Sequence, residues 1–398
     1  MLKFNSKIFS TKWKYENILL YLIILICFSV IAYHHLSSGF SMSSDSVRFS
    51  KWADKLIELD FNLYKFYSID KAYHRPSLYF FSVPILLIAF CKVIFVNEWQ
   101  FAFLILNIIL VFFSLIIFVK SLLLIRVRPI LIALTLPIIV ISVDILTWPK
   151  FILSDMIYSF LVLIVTYVVI KSIIKDKINY LEFLVIVLLL LASRPSSIPV
   201  IFVILSFIFI SKLQISFNQK NILLFFLGLF ISTPIILSLV YLIIELNFSG
   251  IDKVNFLTNM VKEGMIIHDR PKTWVNKPDN IIDITFIYFL RLINFFNPYA
   301  STFSIAHIVL NVFQFMLIST SISIWSFYGN SIKVNKTFFF ILLLSLSVAA
   351  FHSFILIDYD WRYRFPIILP LLLFIPISLE IILQKINSKR SDIRKEQI

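Results

Sequence analysis

The charged residues of this chain are few, and the ones that could do chemistry stand at the edges of long apolar runs. Asp45 leads the stretch "SSDSVRFSKWADKL" (43–56), directly after the first such run. Asp155 lies in "LTWPKFILSDMIYSFL" (146–161), where another begins. His74 and Arg75 fall in "AYHRPSLYFF" (72–81), and Arg194 in "LLLASRPSSIPVIF" (189–202). Arg362, Tyr363 and Arg364 fall in "DYDWRYRFPIILPLLLF" (358–374). A carboxylate placed at a low-dielectric edge can take a proton from an attacking group. Arginine offers a planar fork of donors that matches paired anionic oxygens.

The elements that must position these residues are transmembrane helices. The chain has 398 residues, is 60% hydrophobic and has a mean hydropathy of +0.94. Its apolar residues fall in blocks long enough to span a hydrocarbon core. The pattern predicts an all-α polytopic membrane protein of about ten spans: 18–36, 101–119, 129–146, 156–171, 181–193, 197–211, 222–245, 303–326, 338–356 and 364–384. It forms a single membrane domain, 1–398. Residues 18–36 read as a signal anchor, because "AYHHLSSGF" offers no small-residue cleavage site. The halves of 181–211 are short, so "SRPSS" either ends two helices or kinks one.

The net charge of +14 follows from cytoplasmic lysine and arginine rather than from nucleic-acid binding. With the N-terminus inside and residues 78–96 not crossing, 19 of the 36 Lys/Arg lie in short inner segments, including the basic tail 385–398. The other arrangement puts most of them outside, so the positive-inside rule favours the first. The outer side then carries two large loops, 37–100 and 246–302, and sixteen of the 22 acidic residues. Within the first loop, apolar positions at Phe49, Trp52, Ala53, Leu56 and Ile57 recur at helical spacing, with charges between them. That marks an amphipathic helix in the membrane interface. Asp45, or Ser44, could simply cap it.

The order of these motifs resembles the membrane-embedded glycosyltransferases of the C-type fold, notably bacterial relatives of protein O-mannosyltransferases and lipid A aminoarabinose transferases. In that family a catalytic Asp follows the first span in a loop with juxtamembrane helices; Asp45 matches it. "HRPSLYF" is similar to a basic-or-polar, proline and tyrosine motif, and "LSD" to a second acid in the next outer loop. "SRPS" is similar to a Lys/Thr/Arg-Pro turn, and "WRYRFPIILP" to an Arg-Tyr and proline motif before a late span. Two features depart from the pattern. Ser46 follows Asp45 where the mannosyltransferases have Glu, and the chain has a short basic tail where many relatives carry a C-terminal extramembrane domain.

The resemblance implies a polyprenyl-phosphate-linked sugar as donor, a hydroxyl of a lipid, glycan or protein as acceptor, and a lipid phosphate as leaving group. Asp45 would be the base, and Asp155 a second catalytic carboxylate that orients the acceptor or holds the groups around Asp45. Arg75, Arg194, Arg362 and Arg364 would bind the donor phosphate. Tyr363, His74 and His268 are further substrate-contacting candidates. Cys27 and Cys91 lie in apolar runs and give no disulfide framework. With no His/Cys/acid cluster, neither a metal nor another cofactor is expected. The active site would face away from the cytoplasm at a bacterial inner membrane, with both termini cytoplasmic. Two other functions fit the composition. An oligosaccharide repeat-unit polymerase of the O-antigen type could use loop 246–302. A flippase or transporter of lipid-linked sugar would show repeats or glycine-broken helices, and only five glycines occur.

Overall fold

A computed structural model describes residues 6–72, 77–212, 218–247, 258–268, 270–299, 303–329, 331–355 and 362–396. The regular elements among the described residues are helices. Those that matter for the site are α1 (Ser6–Ser38), α2 (Ser44–Glu58), α3 (Leu63–Ala72), α4 (Ser77–Phe80), α5 (Ser82–Phe95) and α6 (Trp99–Leu124). They continue as α7 (Pro129–Val140), α8 (Val143–Thr147), α9 (Asp155–Lys175), α10 (Tyr180–Leu191), α11 (Ile198–Lys212) and α12 (Gln219–Asn247). The last are α13 (Ile281–Phe295), α14 (Ile305–Tyr328), α15 (Ile332–Ile355), α16 (Phe365–Leu372) and α17 (Phe374–Glu396).

Seven helical segments are long and apolar enough to cross a bilayer. An eighth arises if α7 and the segment Val143–Lys150, bent by 54° at their junction, count as one. The shorter apolar helices Tyr180–Leu191 and Pro195–Ile210 complete the correspondence with the ten runs of the sequence. The protein is thus an all-α polytopic membrane protein.

Geometry bears on two points left open by the sequence. Residues 82–124 form one apolar, helical segment of 43 residues, in which α5 leads into α6 through a 3₁₀ turn at Val96–Glu98. The halves of 181–211 form a hairpin. Phe183 and Phe207 lie 24 positions apart, yet their ring centroids are 6.5 Å apart. A single straight helix would separate them by about 36 Å at 1.5 Å per residue, and a modest kink shortens that far too little to bring the rings into contact.

Burial ranks the helices. In α9, 72% of the membrane-length window is buried, and in Phe365–Ser388 the figure is 78%; for α12 and α14 it is 22%. The centre is therefore α9 with α16–α17, wrapped by α6, α10 and α15, while α12 and α14 show wide apolar faces outward. In a membrane the outward faces need no burial against protein, because lipid satisfies them. The central helix α9 places Asp155 at its first turn, and α16 follows directly on Arg362–Arg364.

Candidate active site

The loop after α1 is built to present Asp45. Ser43 is the N-cap of α2, and its Oγ accepts from the Ser46 backbone N–H at 3.2 Å. The Ser46 Oγ in turn accepts from the Ser43 N–H at 3.0 Å. This reciprocal capping box satisfies the first-turn donors. Capping therefore falls to Ser43 and Ser46, not to Ser44 or Asp45, and the Asp45 carboxylate is left for tertiary contacts. The apolar face buries Phe49, Ala53 and Leu56 against α5, and the Phe49 and Phe81 rings lie 4.9 Å apart. Lys92 on α5 reaches Asp54 at 2.6 Å. Ser43→Ala is expected to cost about 1 kcal/mol. It should lower the thermal midpoint of the detergent-solubilised protein by a few degrees, and Ser43→Asp should restore it.

The segment entering α9 is fastened to the same place. Ser41 forms a parallel bridge with Phe151: the Ser41 N–H donates to the Lys150 carbonyl at 2.8 Å, and the Ile152 N–H donates to the Ser41 carbonyl at 3.2 Å. The buried Asn107 side chain of α6 donates to the carbonyls of Pro149 and Phe151 at 2.8 and 3.2 Å. A buried amide spent on two backbone carbonyls fixes that irregular segment. Asp45 and Asp155, 110 positions apart, are brought together by this lacing. The α10–α11 turn is tied in by Tyr158 of α9, whose hydroxyl donates to the Ser196 carbonyl at 2.6 Å. That places Arg194 over the start of α9.

The result is one charged cluster assembled from four segments. Arg362 is its hub. Its Nη1 donates to Asp45 Oδ2 at 2.8 Å, and its Nε donates to Asp155 Oδ2 and Oδ1 at 2.9 and 3.1 Å. Arg194 Nη1 donates to Asp155 Oδ1, and Arg48 Nη2 lies 3.1 Å from Asp45 Oδ1. Burial disfavours the Arg362 charge, but Asp155 and then Asp45 outweigh it, so this guanidinium holds its proton more firmly than an ordinary arginine. Among the described residues, three guanidiniums face two carboxylates, one positive charge in surplus.

Exposure separates the two acids. The Asp45 side chain is 31% exposed and that of Asp155 is 1%. Asp155 has both oxygens engaged by arginines and does not line the adjoining cavity. It is a buttress for Arg194 and Arg362. Asp45 does line that cavity, of about 420 Å³, with Arg48, Arg194, Arg362, Tyr363 and His268. This volume lies in the range of small-molecule sites. The Tyr363 ring stacks on His352 of α15 with centroids 4.3 Å apart, and the Arg194 guanidinium sits 5.2 Å from the Tyr363 centroid. Such stacking fixes the arginine plane beside the cavity.

Not every expected residue joins the cluster. Arg364 turns the other way: its Nη1 donates to the Asn297 and Phe295 carbonyls at 3.0 and 3.4 Å, and its guanidinium lies 4.8 Å from the Phe315 centroid. Its side chain is buried. It does not line the cavity and is a structural cation between α13 and α14. Arg75 and His74 lie outside the described residues, as do Asp358 and Asp360. Arg48 and His352 join the site without having stood out in the sequence. Arg48 stands three positions after Asp45, a spacing that makes helix neighbours. His352 is an ionisable residue near the end of a membrane-length helix, itself a signal of function. Among the described residues, no group of three or more His, Cys, Asp or Glu is placed to hold a metal ion.

Phe351 lines both this cavity and a second, apolar groove of about 510 Å³ between α11, α12 and α15. Phe202, Leu229 and Leu346 contribute to its walls, and Phe202 is largely exposed on the lipid-facing surface. No protein-family model, curated protein or solved structure matches the chain.

Proposed function

We propose that the chain is an integral membrane glycosyltransferase that moves a sugar from a polyprenyl-phosphate donor to a hydroxyl of a lipid, glycan or protein acceptor. The observation that carries this reading is the gathering of Asp45, Arg48, Arg194 and Arg362 around one cavity that shares a wall with a lipid-side groove. The surplus positive charge suits a phosphate, and the apolar groove suits the hydrocarbon tail attached to it.

In this mechanism the donor phosphate takes hydrogen bonds from Arg362 and Arg48. Those bonds compete with Asp45, which is then available to the acceptor. The acceptor hydroxyl gives its proton to Asp45 as its oxygen bonds to the anomeric carbon. The bond from that carbon to the phosphate oxygen breaks, and its electron pair leaves with the polyprenyl phosphate. Guanidiniums already in place stabilise the charge gathering on the leaving group, which lowers the barrier without reorganisation. Asp155 acts by holding Arg194 and Arg362 in position. The charge distribution of the loops supports a site on the extracytoplasmic face with cytoplasmic termini, and in this reading the membrane is a bacterial inner membrane.

The test is a donor panel. Purified protein in liposomes is given radiolabelled polyprenyl-phosphate sugars with hydroxyl-bearing lipid and glycan acceptors, and free polyprenyl phosphate is measured. At least one donor should be consumed with label appearing in acceptor. Translocation of intact lipid-linked sugar without turnover would replace the reading by a flippase. Chain growth only from polyprenyl-diphosphate oligosaccharides would replace it by a repeat-unit polymerase.

A further inference from the structure

The end of the bundle away from Asp45 holds a second polar site. Helix α9 starts at Asp155 and ends at Lys175, so its far end lies about 30 Å from the cluster described above. There two adjoining cavities, of about 340 and 490 Å³, share Ser172, Lys177, Ile178 and Tyr180. Lys336 of α15 enters the first cavity, and Lys171 and Lys175 line the second.

The charges there do not cancel. Lys171 is paired with Glu182 at 2.6 Å, and Lys333 with Asp176 at 3.3 Å. The Lys333 ammonium also donates to the Ile174 carbonyl at 2.7 Å, which pins α15 to the end of α9. Lys175 and Lys177 have no carboxylate within ion-pair distance among the described residues. Lys171, Lys175, Lys177 and Lys333 thus face Glu182 and Asp176, an excess of cations. A preference for basic residues on one side of a membrane explains lysines at this end. It does not explain a walled cavity into which Lys177 and Lys336, from segments far apart in sequence, converge. The other walls are Ile173, Phe207, Ile210, Phe339 and Asp176, whose carboxylate is paired with Lys333, and Phe209 beside them is exposed on the apolar surface.

We propose that this cavity binds a phosphate group, with Lys177 and Lys336 as its principal cations. Several oxygens on one anionic centre can meet two or more ammonium groups at once, which one carboxylate does less well. Lysine contributes as a movable point charge on a long stem, suited to a headgroup of variable pose. The phosphate can belong to an anionic phospholipid, whose chains would lie on the adjoining aromatic surface, or to a soluble ion. Basic pockets between helix ends are a recurrent arrangement for lipid headgroups.

The experiment uses the full chain in phosphatidylcholine nanodiscs and does not depend on transfer activity. Its thermal midpoint is measured against increasing phosphatidylglycerol in the disc, or inorganic phosphate in solution, and retained lipid is read by native mass spectrometry. A saturable rise in midpoint is expected, with at least tenfold weaker apparent affinity in K177Q/K336Q. The single variant K177Q, at an exposed position, should lose about threefold while keeping its midpoint in neutral lipid. Protection by phosphatidylglycerol alone identifies a lipid headgroup, and protection by phosphate alone identifies a soluble anion; either supports the site. K272Q, which removes an exposed loop lysine, should behave as wild type. Absence of protection by both ligands, equal protection in K177Q/K336Q, or an equal loss in K272Q overturns the proposal.

Discussion

Asp45→Asn is expected to slow sugar transfer by about 10²- to 10⁴-fold, the usual range for loss of a general base. The protein should remain folded and inserted. Asparagine keeps the shape of the side chain, and its carbonyl can still accept from Arg362 Nη1, which now lies 2.8 Å from Asp45 Oδ2. The helix start does not depend on this residue, because Ser43 and Ser46 cap it. The substitution also removes one charge from the ion pair with Arg48, whose two side chains are 54% (Arg48) and 31% (Asp45) exposed. Such a pair is worth less than about 1 kcal/mol. The amide cannot accept the hydroxyl proton, so the loss falls on the chemical step. Release of polyprenyl phosphate at saturating donor, together with the thermal midpoint, measures both. An unchanged midpoint with normal transfer would remove Asp45 from the mechanism.

The residues that form the site were legible because a bilayer makes charge conspicuous. Asp45, Asp155, Arg194 and Arg362 each stand where an apolar run starts or stops, and the helical period of 44–58 was plain from Phe49, Ala53 and Leu56. Pairing was not legible. Arg362 and Arg364 are two positions apart and of one type, yet one bridges both acids while the other is spent on backbone carbonyls near Phe315. Which way each points is decided by the turn that leads into α16, and no periodicity records that. The two acids read alike for a similar reason. Their difference is one of depth: Arg194 and Arg362 close over Asp155, and the Tyr158–Ser196 contact ties the Arg194 turn to the helix that carries it. The 181–211 hairpin was ambiguous because each arm is shorter than a bilayer needs. Contact of Phe183 with Phe207, and of Phe207 with Phe340 of α15, resolves it through tertiary packing.

Arg362 should be the least replaceable residue of the cluster, because two acids depend on it. Among the described residues, Arg362→Ala leaves Asp155, with its side chain 1% exposed, a single cation, Arg194, and leaves Asp45 only the exposed Arg48. Removing one partner from a buried ion pair costs about 3–5 kcal/mol, since the remaining charge stays desolvated. A lower yield of folded protein is therefore expected, and that alone would not distinguish structure from chemistry. Arg362→Lys makes the distinction. Lysine keeps the charge near Asp155 but has no fork, so it cannot hold Asp155 through one nitrogen and Asp45 through another. Its midpoint should lie above that of Arg362→Ala, while transfer falls about 100-fold, equivalent to roughly 2.7 kcal/mol of transition-state stabilisation. The double variant Asp45→Asn/Arg362→Lys should be little slower than the slower single one, because both remove parts of one interaction. Strictly multiplicative losses would mean that Arg362 serves Asp155 alone and that the 2.8 Å contact with Asp45 carries no function. A fully active Arg362→Lys would place the phosphate on Arg48 and Arg194 instead, the two other arginines that line the cavity.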